Sequence, residues 1–356
     1  MNNLILSEKA KPRLYFTNKI KFNLNTTELD KIIGKSESNN LIDILLSTYF
    51  KKGNLLFNKS LFNQAFTYYS KTLDIYNTFP TKDSSIIYIY NRLAECKINT
   101  LCYEEALAYL CECYSCISEL KDKNNYNDCI FNLALTYKKL KDFDNALFYV
   151  NKFLDSLDIN NNLIKYIEAV ILKCNCYIGN NSPSNAIDLC DKLFLNLGDK
   201  LEKYTGYIYD ILGRAYLQKN NKETALKYFN KALYFKSVND RSTLCHSLIN
   251  TSNLYINEGL YKKAIEVINN GLILSSEYHD NEYLLKGYLI LEKIYKELND
   301  HEELKYLYIQ MLEDLKGIDS CILMDIYTKL SSLESHNIDY SKLNNIFSKN
   351  KLFTII

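Results

Sequence analysis

Residues 206–239 read GYIYDILGRAYLQKNNKETALKYFNKALYFKSVN, and the spacing within this stretch decides the fold. With Gly206 as position 1, large residues stand at 4 (Tyr209), 7 (Leu212), 11 (Tyr216) and 24 (Phe229). Small residues stand at 8 (Gly213), 20 (Ala225) and 27 (Ala232). Positions 4, 7 and 11 share one face of a first helix, and 20, 24 and 27 share one face of a second. The small residues at 8 and 20 let the two helices approach closely. A two-helix hairpin of this kind cannot bury its apolar faces alone, so copies of it are expected on either side.

Sliding the same code along the chain finds those copies. Position 20 recurs as Ala65, Ala106, Ala146, Ala186, Ala225 and Ala264, with Leu304 in the last unit. Position 11 is Tyr137, Tyr177, Tyr216, Tyr255 and Tyr295 in five units, and Leu56 and Lys97 in the two earliest. Position 8 runs Gly53, Ala94, Ala134, Cys174, Gly213, Ser252 and Glu292, small in all but the last. The units therefore begin near 46, 87, 127, 167, 206, 245 and 285, a step of 39 to 41 residues. The spare residues fall between one hairpin and the next, as in 118–126, 157–163 and 277–281, and either longer helices or longer links would absorb them.

Outside the array the pattern changes. Residues 1–40 repeat nothing that follows: they form an irregular lead-in with a modest basic run and one short helix, capped by Thr27 and ending at Gly34. From 318 a further first-helix pattern with Tyr327 predicts an incomplete capping unit, its partner helix at about 340–349. The apolar tail at 351–356 is expected to fold back on the last hairpin or to meet a dimer partner.

Composition narrows the class of function. The chain has 356 residues, 47% of them hydrophobic and 24% charged, with only 10 Gly and 3 Pro, which suits a mostly helical chain and excludes disorder or collagen. The 43 basic and 42 acidic residues balance, which argues against bulk electrostatic binding to nucleic acid or to an anionic membrane. The apolar run Leu4–Leu6 is too short for a signal peptide, and no later run approaches the roughly 18 residues of a membrane span. The expected location is the cytoplasm. Eleven cysteines, odd in number and scattered through helical patterns, fit reduced thiols in a core.

No catalytic signature is present. Gly34-Lys35-Ser36 resembles the end of a phosphate-binding loop, but Leu29 stands where the loop needs its first glycine. The four histidines (His246, His279, His301, His336) make no metal or nucleophile spacing. Cys111, Cys113 and Cys116 cluster in sequence, yet Cys111 lies roughly 200° from Cys113 around a helix, so a metal site is not expected there. The chain is read as a non-enzyme with no cofactor and no metal.

The repeat code resembles that of the tetratricopeptide repeat (TPR), whose standard unit is 34 residues. The resemblance implies an all-α, right-handed superhelical solenoid of about seven hairpins over 41–350. It also implies that positions 2, 5, 6, 9, 12 and 13 of each first helix line a concave groove. In this sequence those positions include Asn91, Arg92, Asn132, Asn175, Tyr207, Asp210, Arg214, Asn250 and Asn253, the candidate peptide-binding set. Asparagine offers a donor and an acceptor to an extended peptide backbone, and Arg92 or Arg214 could fork onto a carboxylate. The chain is also Asn-rich in its loops, for example at 160–162, which is the competing account of these residues.

Repeats about 40 residues apart with Asn on the groove resemble the bacterial RRNPP-type peptide-pheromone receptors. That resemblance implies an intracellular regulator that binds a short signalling peptide in the groove and passes the change to a protein or DNA-bound partner, with a homodimer through the C-terminal units. Most such receptors carry an N-terminal helix-turn-helix domain, and residues 1–40 do not supply one, which argues against direct nucleic-acid binding. The alternative reading is a constitutive TPR scaffold mediating protein–protein interaction.

Overall fold

A computed structural model describes residues 25–79, 83–120, 125–159 and 161–333. Sixteen α-helices and no strand occur among them. The chain divides into two compact units, 1–162 and 163–356, at the polar link before residue 163.

The first unit holds α1 (Thr26–Ser38), α2 (Ile42–Phe57), α3 (Phe62–Tyr76), α4 (Ser85–Asn99), α5 (Tyr103–Leu120), α6 (Tyr126–Lys139) and α7 (Phe143–Ser156). The second holds α8 (Leu163–Gly179), α9 (Pro183–Leu197), α10 (Thr205–Gln218), α11 (Lys222–Asn239), α12 (Leu244–Asn257), α13 (Tyr261–Glu277), α14 (Asn281–Glu297), α15 (His301–Asp314) and α16 (Ser320–Leu333). The even-numbered helices from α2 to α14 are first helices (A) and the following odd ones their partners (B), so all seven expected hairpins form. Both predicted sources of the long repeat step are used. The helices run 14 to 18 residues, and the links range from 278–280 to 77–84.

The hairpin is stamped out by two local devices. Every A-to-B turn places one residue in the left-handed region at position 15: Ser60, Leu101, Lys141, Asn181, Asn220, Gly259 and Asn299, with φ between 52° and 72°. Just beyond it, Asp142, Asn221 and Asp300 cap helices α7, α11 and α15 through their side chains. The other device is packing of position 8 against position 24. A Cβ on Gly53 would meet the Tyr69 ring at 2.6 Å, and one on Gly213 the Phe229 ring at 2.7 Å, so the aromatic ring occupies the space a side chain would need. In the last hairpin position 8 is Glu292, whose buried carboxylate accepts from the Tyr308 hydroxyl at 3.0 Å and pairs with Lys296 and with Lys329 of α16. The exception in the code thus ties α16 to the array.

The cores follow the code. All six position-20 alanines are fully buried. In the first unit Leu46, Tyr69, Ile86, Leu93, Leu110 and Leu133 belong to one apolar cluster. In the second, Phe229 packs with Ala225 and Leu254 against Tyr216 and Tyr255, joining two hairpins.

The lead-in differs from expectation. Asn25, not Thr27, caps α1, in a reciprocal box with Glu28, and the helix runs through Gly34 to Ser38. Glycine weakens a helix without ending it, and α1 is held by packing: Leu29 and Ile33 are buried, and Lys52 of α2 pairs with Asp30. The predicted basic run before residue 25, the partner helix at 340–349 and the tail at 351–356 lie outside the described residues.

Candidate peptide interface

In the second unit the groove positions form a continuous polar ladder across four successive A helices. Asp210 of α10 is its centre. Its Oδ1 accepts from the Ser247 hydroxyl of α12 at 2.8 Å, and its Oδ2 accepts from Asn250 Nδ2 at 2.8 Å and from Arg214 Nε at 3.1 Å. Arg214 also donates to Asn175 Oδ1 of α8, and Asn250 Oδ1 accepts from Lys286 Nζ of α14 at 2.6 Å. Asn253 Nδ2 reaches the backbone carbonyl of Asn250 at 3.3 Å.

The ladder is deep. Asp210 is 4% exposed and Asn250 1%. Burial by itself would raise the Asp210 carboxyl, but the charges of Lys236 and Arg214 and the hydrogen bonds from Asn250 and Ser247 outweigh it, leaving the group lowered to about 2. Lys236 of α11 is itself buried. Its Nζ donates to the Thr243 carbonyl at 3.3 Å and lies over the Tyr207 ring, while the Tyr207 hydroxyl donates to Asp240.

These contacts redefine several expected peptide contacts. Asn250 has both ends of its side chain engaged inside the protein, so it ties α10 to α14. Arg214, expected to fork onto a ligand carboxylate, already spans Asp210 and Asn175. Asp210 and Tyr207 are likewise paired within the fold. The sequence code marks these positions as facing one side of the A helix, but packing of consecutive A helices brings them against each other. The partners Ser247, Lys236 and Lys286 were not singled out from sequence, because each is unremarkable until the next hairpin arrives.

In the first unit the same register is less fully paired. Asn91 of α4 is, like Asp210, at position 5, and it is 8% exposed, yet its Oδ1 has no hydrogen-bond partner among the described residues. Asn132 of α6 occupies the place of Asn250 and is half-buried, with no side-chain hydrogen bond there. Arg92 pairs with Glu95 of its own helix at 2.7 Å, both partly exposed, and stacks over Phe57 at 5.4 Å. Tyr88, Phe131 and Leu135, partly exposed, flank these groups.

Comparison with known proteins agrees with this architecture. The tetratricopeptide repeat family model matches residues 128–156 and 207–239, within the α6–α7 and α10–α11 hairpins. By sequence, no curated protein matches the chain. Among solved structures, NprR in complex with its cognate peptide NprX superposes with a TM-score of 0.60 at 16% identity, covering 92% of this chain and 94% of that one. A Rap protein complexed with competence and sporulation factor gives 0.55 at 16%, covering 91% and 92%. The apo form of the quorum sensor NprR from B. thuringiensis gives 0.54 at 15%, covering 91% of each. At such identities the likeness is one of fold. The chain carries tetratricopeptide repeats, and its fold resembles that of these NprR and Rap structures. No helix among the described residues is long and apolar enough to cross a membrane.

Proposed function

We propose that the chain is a non-enzymatic regulator that binds a short peptide on the A-helix face of its first unit and passes the change to a partner macromolecule. The observation that carries this reading is the buried Asn91 Oδ1, which has no hydrogen-bond partner among the described residues, with Asn132 at groove position 6 of the next A helix. A buried acceptor without a donor costs about 1–3 kcal/mol, a cost that a peptide N–H would remove. Asn132 supplies a donor and an acceptor for the same backbone, and Arg92 can exchange its weak surface pair with Glu95 for a ligand carboxylate. The fold of the peptide-bound NprR and Rap structures supports the same use of the groove. Eleven free cysteines, most of them buried, suit a reducing compartment such as the cytoplasm.

Affinity selection from a randomised library of short peptides, followed by calorimetry on the winners, tests the reading. Asn91→Ala with Asn132→Ala should weaken binding roughly 10- to 100-fold, as loss of two hydrogen bonds would. A chain that selects no peptide, or a double variant that binds unchanged, contradicts it.

A second reading is a constitutive scaffold. It is favoured by an apolar row on the B helices of the second unit: Leu195, Tyr234 and Ile273 share position 29 and are 85%, 64% and 65% exposed. Retention of a stoichiometric protein partner with no peptide present, lost on Tyr234→Ser, would favour it.

A further inference from the structure

Two consecutive residues of α12 and one that lies 34 residues further along the chain meet between α12 and α14. Cys245 and His246 lie in the first turn of α12, and Asp280 caps α14 by accepting from the Tyr283 N–H at 3.0 Å. The Cys245 Sγ, a ring nitrogen of His246 and a carboxylate oxygen of Asp280 all lie within 4.8 Å of one another. We propose that Cys245, His246 and Asp280 form a three-ligand site for Zn2+, with water in the fourth position.

The donor set is the first reason. Thiolate and imidazole are zinc's preferred ligands, a carboxylate completes many three-ligand sites, and such sites keep one position open. Geometry is the second. Bonds of about 2.0–2.3 Å in a tetrahedron set ligand atoms roughly 3.3–3.8 Å apart. His246 Nε2 stands 2.6 Å from Asp280 Oδ2, so this pair opens slightly as the ion takes the place of the shared proton, and the thiol closes by about an ångström or less. The imidazole is held in plane by stacking on Tyr283, with ring centroids 3.8 Å apart and 14° between planes. Access is graded: Cys245 is fully buried, whereas the His246 and Asp280 side chains are 20% and 24% exposed, leaving a solvent edge for the water.

An independent observation concerns Ser275 of α13. Its hydroxyl is fully buried and makes no well-aligned hydrogen bond among the described residues, its contact being a weak one to the Cys245 thiol. A thiol is a weak acceptor. A zinc-bound thiolate is a strong one, so the ion strengthens the weak contact that the Ser275 hydroxyl makes. The nearby charge of Lys236 opposes a cation, but that ammonium is anchored on the Thr243 carbonyl. The proton balance is simple. The ion displaces the thiol proton, the neutral imidazole's single proton moves from Nε2, where Asp280 shares it, to Nδ1, and one proton leaves per ion bound. Thiolate and carboxylate together neutralise the dication. The bound ion would staple the sixth hairpin to the seventh independently of any peptide.

Co2+ titration of the full chain provides the test, because a cobalt–thiolate bond gives a charge-transfer absorption that nitrogen and oxygen ligands do not. One equivalent of Co2+ should produce that band, and Zn2+ should abolish it. Cys245→Ser should remove the band, whereas Cys111→Ser with Cys321→Ser, which removes the two exposed thiols, should keep it. His246→Gln and Asp280→Asn should each weaken binding beyond the ~10–100-fold typical of outer-sphere changes. Absence of the band in the unmodified chain overturns the proposal, as does its survival in Cys245→Ser with helicity intact by circular dichroism.

Discussion

The A-helix faces of the two units share one register and differ in what occupies it. In the second unit position 5 is Asp210, and Ser247, Asn250 and Arg214 converge on it from two helices. In the first unit position 5 is Asn91, and nothing among the described residues meets its Oδ1. A charge at that position requires partners, because an unpaired buried carboxylate costs far more than an unpaired amide. The charged face is therefore closed by its neighbours, while the neutral face tolerates an acceptor without a partner among the described residues. Asparagine-rich grooves are thus of two kinds here, one a structural strut and one a candidate clamp.

Four experiments break or sharpen that contrast. Asp210→Ala should destabilise the second unit by about 3–5 kcal/mol in urea unfolding, because it strands Arg214, Lys236 and Asn250. A loss below about 1 kcal/mol would mean that the ladder is not a strut. The next largest effect is acid sensitivity. The Asp210 carboxyl is lowered to about 2 in the fold against an ordinary value near 4, so the stability it contributes, about 2–3 kcal/mol, is present above pH ~4 and lost as pH falls towards 2. That part of the acid profile should disappear in Asp210→Asn, and an unchanged profile would contradict the assignment. In the first unit the sign reverses: Asn91→Leu, which removes an unpaired acceptor without emptying its space, should gain roughly 1 kcal/mol while weakening peptide binding. Destabilisation by that variant would show that Asn91 has a structural partner after all. The smallest effect compares turns. Lys141 is exposed at φ 62° and Gly259 adopts φ 72° at the same place in its hairpin. Lys141→Gly should raise stability by up to about 1 kcal/mol and Gly259→Lys should lower it by a similar amount, read as opposite shifts in thermal midpoint.

The hairpins were legible in the sequence because their code is local. Ala225, Gly213 and Phe229 lie within one 34-residue stretch, and the volume of each is dictated by a partner helix only a turn away. Glu292 broke that code for a reason the sequence did not reveal, namely the lysine of α16 that meets it. Asn25 was missed as the cap of α1 because Thr27 and Asp30 mimic the same signal two residues later. The candidate site was legible only as a set of positions. The code located Asn91, Asn132, Asp210 and Asn250 on one side of their helices without distinguishing groove from seam.

What the amino-acid sequence determined by itself is the repeating hairpin, since periodicity and side-chain size act over short separations. Tertiary structure decided which groove residues are engaged and which are free, because their partners come from the next hairpin, about 40 residues away. It also decided that Cys245 and His246 face Asp280, a meeting across two helices that no spacing of His and Cys along the chain foreshadowed. Hydrogen-bond satisfaction and ligand geometry are matters of a few tenths of an ångström between helices, and only packing sets that distance.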